Sequence, residues 1–211
     1  IISIDKDRTV CESIRSLFEA YGEEYELGFA NGGDQDNNSI PEAPTCKELK
    51  IPYIIHNLDA HMGLANRAFV RDAEALTLGV CDLKQKPKNG KVYVTGNPVS
   101  KKFLAALEKE KLKDHKLHLL VTGGSQGALS INNAIGELLE EFSKLEIEII
   151  NVTGKKIYEG HVKKFLSKKE YPFYKVLDYT HEMPGLCRWA DLAICRSGAM
   201  TVAEMLASET L

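Results

Sequence analysis

The residues best suited to chemistry in this chain are Gly123-Gly124-Ser125-Gln126-Gly127, set between an apolar run and an amphipathic stretch. Glycines let backbone N–H groups approach an anion closely. A helix starting just after them adds unpaired N–H groups and the positive end of its dipole. The arrangement predicts a phosphate or diphosphate site at Gly124, Ser125, Gln126 and Gly127. A tight strand-to-helix turn with no ligand would use the same glycines, because the stretch has neither the G-x-G-x-x-G order of a dinucleotide fingerprint nor the G-K-[ST] of a P-loop. A second cluster, RSGAMTVAE from Arg196 to Glu204, turns from an apolar run into a helix. Val202, Met205 and Leu206 are expected on its inward face and Glu204 off it, where a carboxylate can accept two hydrogen bonds from the paired hydroxyls of a ribose. The other role open to Glu204 is to complement the helix dipole, for about 0.3 to 1 kcal/mol.

The elements that must hold these clusters follow from periodicity. Leu117, Leu119, Leu120 and Val121 form a buried parallel strand, while Ile131, Ile135, Leu138, Leu139 and Phe142 repeat at helical spacing on one apolar face. Strands at 147–152, 174–177 and 192–195 then alternate with helices around 157–166 and 183–189. Such alternation predicts a parallel sheet with helices on both faces, and ligands of such sheets lie beyond the carboxyl ends of the strands. Those ends carry the glycine turn, Thr153-Gly154, Tyr179-Thr180-His181 and Arg196-Ser197-Gly198. Upstream, helices are expected at 11–21, 41–49 and 62–73, the last with Leu64, Ala68 and Phe69 inward. Strands are expected within 24–30 and at 52–55, 75–80 and 92–95, with a polar turn at 34–39. The strand at 52–55 delivers His56, Asn57 and Asp59 at its carboxyl end. Thr95-Gly96-Asn97-Pro98 interrupts the pattern before a helix at 101–109, which places a domain junction there. The expectation is an α/β protein with domains at 1–97 and 98–211.

Composition narrows the classes. A chain of 211 residues, 44% hydrophobic and 27% charged, is an ordinary globular sequence, and a net charge of -3 supplies no general attraction for nucleic acid. No apolar run approaches the roughly 20 residues of a membrane-spanning helix. The five cysteines are scattered, never in a C-x-x-C pair, which suits a reducing cytoplasm. His115 and His118 lack a companion ligand set, so no metal site is expected there and both are placed on the solvated surface. From the start at Ile1 and the stop at Leu211, just after a helix, the expectation is a fragment.

Several stretches together resemble the MurG family of glycosyltransferases: IPYIIHNLDAHMGLANRAF from Ile51, VTGNPVS from Val94, VTGGSQGA from Val121 and WADLAICRSGAMTVAE from Trp189. The resemblance implies a GT-B fold of two Rossmann-like domains, both truncated here, with the lipid acceptor on the first and the nucleotide sugar on the second. It implies inverting transfer of N-acetylglucosamine from UDP-N-acetylglucosamine to the lipid-linked muramyl-pentapeptide precursor of peptidoglycan, with no metal or other cofactor. Ser125 and its glycine neighbours would hold the donor diphosphate, the Thr180 backbone the uracil, and Ala199, Met200, Thr201, Val202, Ala203 and Glu204 the nucleoside, with Glu204 on the ribose. Asp59 and Ser100 fall at further donor-contact positions, and Arg196 would stabilise the departing diphosphate. The family also implies a cytoplasmic protein in peripheral contact with the inner membrane face, for which Arg67, Phe69, Arg71 and the Lys84, Lys86, Lys88, Lys91 loop are candidates; the loop equally suits a solvated turn.

The sequence also departs from the family pattern. The glycine-rich loop ending in a histidine, expected at the start, is not in it. Asn57 stands where the family has glutamate, Asp59 where it has asparagine, and Ser100 where it has arginine. Three alternatives remain open at this point. One is a related transferase with another lipid acceptor, such as a diacylglycerol galactosyltransferase or the eukaryotic subunit acting on dolichol-linked sugar. The second is a non-catalytic nucleotide-sugar-binding chain. A nicotinamide oxidoreductase, the third, would need a dinucleotide fingerprint that the chain lacks.

Overall fold

Alternating strands and helices are realised as two separate, all-parallel, four-stranded sheets. The structure is a computed structural model that describes residues 9–32, 41–81, 91–108, 115–124 and 126–210. The chain divides into two units, Ile1–Pro98 and Val99–Leu211. Ser125, the turn at 34–39 and the lysines of the basic loop other than Lys91 lie outside the described residues.

The first unit contains α1 (Cys11–Tyr21), β1 (Phe29–Gly32), α2 (Glu42–Glu48), β2 (Tyr53–Asn57), α3 (Leu64–Phe69), β3 (Ala75–Leu78) and β4 (Lys91–Val94), with sheet order β1-β2-β3-β4. Its core gathers Ile14, Cys46, Tyr53, Ile55, Met62, Ala65, Leu76 and Leu78. The strand expected within 24–30 begins only at Phe29, once Phe29 N–H reaches the Pro52 carbonyl at 3.0 Å. α3 is shorter than expected and turned about its axis. Gly63 is its N-cap and the Arg67 Nε–H donates back to Met62 O at 3.0 Å, so Met62 and Ala65 point inward while Leu64 and Ala68 are exposed. Phe69 packs partly against this core, which removes it from the candidate membrane contacts. Among the described residues no helix is long and apolar enough to cross a membrane.

The second unit contains α4 (Lys101–Ala106), β5 (Leu117–Thr122), α5 (Leu129–Glu137), α6 (Leu139–Phe142), β6 (Ile147–Val152), α7 (Lys155–Phe165), β7 (Tyr174–Leu177), α8 (Met183–Trp189), β8 (Leu192–Cys195) and α9 (Ala199–Ala207), with sheet order β7-β6-β5-β8. The two-residue period of β5 divides its side chains between two cores. Leu119 and Val121 pack with Ile135, Leu139 and Ile149 on one face, and Leu120 packs with Phe103, Cys187 and Met205 on the other. His118 has the parity of Leu120, so it is 2% exposed instead of solvated. Its ring lies 4.6 Å from that of Trp189, its N–H donates to Asp191 Oδ2 at 3.0 Å, and Asp191 N–H donates back to His118 O at 2.8 Å. That exchange pins the start of β8 to β5. The helix expected over one continuous face breaks at Leu138, where φ is -97° and ψ 3°, and this turns Leu138 out to solvent.

A buried polar chain crosses from β6 to α7. Asn151 Nδ2–H donates to Tyr174 Oη at 2.8 Å, and Tyr174 Oη lies 2.7 Å from His161 Nε2. With Asn151 donating, the network assigns the Tyr174 hydroxyl as donor to a neutral imidazole. Burial pushes Tyr174 up to about 12 and pulls His161 below its ordinary value of 6.5, with the Lys164 charge adding to the latter. A depressed folded-state value means that the unfolded chain takes up the His161 proton first, so stability present above about pH 6.5 is lost as pH falls. Urea unfolding of wild type should weaken between pH 7 and pH 5 more steeply than that of His161→Leu. Equal slopes in the two proteins would show that His161 titrates alike folded and unfolded.

Candidate functional site

The glycine turn between β5 and α5 is built by two positive-φ residues, Gly124 at 76° and Gly127 at 75°. Gly127 N–H closes it on Gly124 O at 2.9 Å. The two glycines do different things. A Cβ on Gly127 would strike the Thr153 carbonyl and come within 2.8 Å of Ile157 Cδ1, whereas one on Gly124 would meet only Arg196 Nη2, at 3.5 Å. Gly127 thus lets the turn press on the end of β6, and Gly124 faces open space beside a guanidinium. Neighbouring strand ends are stitched to the turn by polar side chains. Asn132 Nδ2–H from α5 donates to Thr153 O at 3.0 Å, and Thr153 donates to Leu177 O through N–H at 2.9 Å and Oγ1 at 3.1 Å.

These stitches leave a cavity of about 410 Å3 at the carboxyl ends of β5, β6 and β7, lined by Gly124, Gly154, Thr180, Met200, Thr201 and Glu204 among others. Thr201, Glu204 and Met205 occupy successive turns of one α9 face, which is why they share the wall. The inward face is therefore not the one expected. Val202 is 42% and Leu206 73% exposed, and Met205 alone of the three is buried. The Thr180 hydroxyl accepts from the Glu182 N–H at 2.9 Å, which leaves its O–H and its backbone to meet a ligand. Among the described residues the Glu204 carboxylate makes no hydrogen bond or ion pair, yet burial raises its pKa above 4.5. A half-buried, unpaired carboxylate facing a hollow is costly unless a donor arrives. The cavity wall itself offers the carboxylates of Glu204 and Asp178 as acceptors for hydroxyls, while Arg196, which has no ion pair among the described residues, stands beside the glycine turn at its edge.

The remaining candidates sit elsewhere. Gln126 faces a neighbouring hollow with Lys155, Lys156 and Tyr179. Ala199, Val202 and Ala203 belong to α9 but do not line the cavity. Ser100 is the N-cap of α4, its Oγ accepting from Lys102 N–H at 3.4 Å. Asp59 belongs to the first unit, where its carbonyl accepts from Asn57 Nδ2 at 2.5 Å. The cavity also uses Tyr179, Met183 and Met205, which sequence reasoning did not assign to binding. The place of Tyr179 just after β7 signals it, while the helical spacing of Met205 points only to the core, whose edge also forms the cavity wall.

Comparison with known proteins agrees with this geometry. Residues 118–210 match the glycosyltransferase family 28 C-terminal domain. The fold is that of solved GT-B glycosyltransferases. Acinetobacter baumannii MurG superposes with a TM-score of 0.63 at 22% identity over 94% of this chain and 54% of that one, and SnogD from Streptomyces nogalater with 0.57 at 15% over 95% and 57%. Curated relatives carry the name UDP-N-acetylglucosamine–N-acetylmuramyl-(pentapeptide) pyrophosphoryl-undecaprenol N-acetylglucosamine transferase. That of Carboxydothermus hydrogenoformans is 36% identical over 81% of this chain and 48% of its own length, and that of Alkaliphilus oremlandii 34% over 76% and 45%. The chain is a glycosyltransferase sequence of GT-B type. It belongs to the MurG family and spans about half the length of the curated relatives it matches.

The two glycines make a test of the turn. Gly124→Ala should cost about 1–2 kcal/mol of stability, the penalty of a left-handed backbone alone. Gly127→Ala adds an overpacking penalty of about 1–3 kcal/mol against Thr153, so it should unfold at clearly lower urea. Equal losses in urea melts would mean that Gly124 is as confined as Gly127.

Proposed function

We propose that the second unit binds the uridine diphosphate portion of UDP-N-acetylglucosamine and that the chain is part of an inverting N-acetylglucosamine transferase acting on lipid-linked muramyl-pentapeptide. The observation that carries the reading is the unpaired, half-buried Glu204 carboxylate in the cavity beside Gly124. In the proposed arrangement Glu204 accepts from the ribose hydroxyls, the Thr180 backbone meets the uracil, and the glycine turn and Arg196 hold the diphosphate. An acceptor hydroxyl attacks the anomeric carbon and releases its proton to water as the bond from that carbon to the diphosphate oxygen breaks. UDP leaves with the bonding pair, and Arg196 and the N–H groups opening α5 stabilise the charge that develops on it. The first unit takes the lipid-linked acceptor at the cytoplasmic membrane face, with exposed Arg67 and Arg71 near it.

One observation favours a non-catalytic nucleotide-sugar-binding role for this chain. Asn57, standing where the family pattern has glutamate, is consumed locally: its Oδ1 accepts from Asn66 Nδ2 at 3.1 Å and its Nδ2 donates to Asp59 O. Transfer assayed beside binding separates the two readings, since a binding-only chain holds UDP and turns nothing over.

Calorimetric titration with UDP, UDP-N-acetylglucosamine, ADP and NAD should show uridine-selective binding, and Glu204→Ala should weaken UDP by roughly 1.5–3 kcal/mol. Undiminished UDP affinity in that variant returns Glu204 to the dipole role. The pH dependence has a definite sign. The Glu204 value is raised in the free protein because burial opposes its charge, and a hydroxyl donor favours the charged form. UDP affinity should therefore fall as pH drops toward that raised value from above. Comparison with Glu204→Gln cancels the ionisation of UDP itself. Parallel pH profiles for the two proteins would contradict a bond from the ribose to the carboxylate.

A further inference from the structure

A second hollow of about 390 Å3 lies at the same edge of the sheet, against Gln126, Lys155, Lys156 and Tyr179. Both lysines stand in the first turn of α7, which carries no acidic residue. Cations there are opposed by the helix dipole and by each other. Among the described residues neither ammonium has an ion pair, although Lys164 further along α7 reaches Glu137 at 3.6 Å and Lys169 reaches Glu140 at 2.8 Å. Lys155 Nζ instead lies 5.1 Å from the centroid of the Tyr179 ring, a contact that keeps its charge at the wall of the hollow. The Gln126 amide adds a neutral donor, and none of the four lining residues is a carboxylate.

We propose that this hollow is a second anion site, separate from the one between Gly124 and Arg196, and that it takes a phosphoryl group such as a phosphate monoester or a diphosphate. Two ammonium groups, an amide and a phenol hydroxyl match the several acceptor oxygens of such a ligand. The ligand is either a soluble ion or the phosphate of a lipid headgroup. The site shares Tyr179 with the nucleotide cavity and Gln126 with the glycine turn, and its two lysines belong to neither, so they distinguish it from the uridine reading.

The test is calorimetric titration of the 211-residue chain with inorganic pyrophosphate, alone and with UDP present. The Lys155→Ala/Lys156→Ala variant should lose pyrophosphate affinity by at least about tenfold. Arg196→Ala should keep a pyrophosphate site. Circular dichroism confirms that the variants fold. Binding that survives the double lysine change, or wild type that binds no pyrophosphate, overturns the proposal. Binding lost only with Arg196→Ala overturns it too and leaves the nucleotide reading standing. Co-sedimentation with vesicles of phosphatidylcholine, with and without phosphatidic acid, names the source. Lysine-dependent pelleting that pyrophosphate displaces identifies the headgroup, and pyrophosphate binding without pelleting identifies the soluble ion.

Discussion

The second unit depends on one close backbone approach, that of the Gly127 turn to the Thr153 carbonyl at the end of β6. No side chain fits between them. Because the two turns touch, the N-terminal ends of α5 and α7 open on the same edge of the sheet, and their unpaired N–H groups add to one region of positive potential. Asn132 and Thr153 then join that contact to the end of β7 through Leu177 O. A chain of three strand ends held by two side chains is what makes the edge a preformed site instead of a set of loose loops.

The opposite wall is held from its far end. The hydroxyl of Thr210, past the end of α9, donates to Cys187 O in α8 at 2.5 Å, and Arg188 pairs with Glu209 at 3.0 Å. Glu209 has a φ of 56°, a left-handed conformation that costs a side-chain-bearing residue about 1–2 kcal/mol. The ion pair and the buried Thr210 bond hold the chain in that turn. With α9 clamped to α8, the Glu204 side chain is kept at the cavity wall, where it meets no protein donor. Restraint just past the end of the helix thus maintains an unfavourable electrostatic position in its last turn.

How much of this was legible in the sequence depends on the kind of signal. Period-two and period-3.6 patterns located most of the second unit, because alternation and strand parity are set by backbone geometry. The same parity rule, applied to His118, places it beside Leu120 in the core; the lack of a companion ligand set argues against a metal but not for the surface, so parity is the better guide. Short elements were less clear. α3 has only six residues, so its phase was set by the Arg67 bond to Met62 O, which no periodicity reveals. The glycine turn and Glu204 were visible as residue types in a suitable order. That Gly127 serves packing while Gly124 faces Arg196 was not, because both are glycines with the same φ and only their distant neighbours differ.

The two units differ most in what their polar groups at the strand ends have left to offer. In the first, His56 bonds Thr77 Oγ1 at 2.8 Å and Asn97 Oδ1 at 3.2 Å, and Asn57 is engaged by Asn66 and Asp59. Those groups are consumed in fixing the loops after β2, β3 and β4. In the second, Arg196, Lys156 and Glu204 are charged and have no hydrogen bond or ion pair among the described residues, and Lys155 meets the Tyr179 ring. Water solvates the exposed Arg196, Lys155 and Lys156, but the half-buried Glu204 charge raises the free energy of the unliganded protein, and a ligand donor would supply its missing partner. The proposed recognition of phosphate and ribose by the second unit rests on that difference, while His56, Asn57 and Asn97 of the first act to hold its own backbone in place.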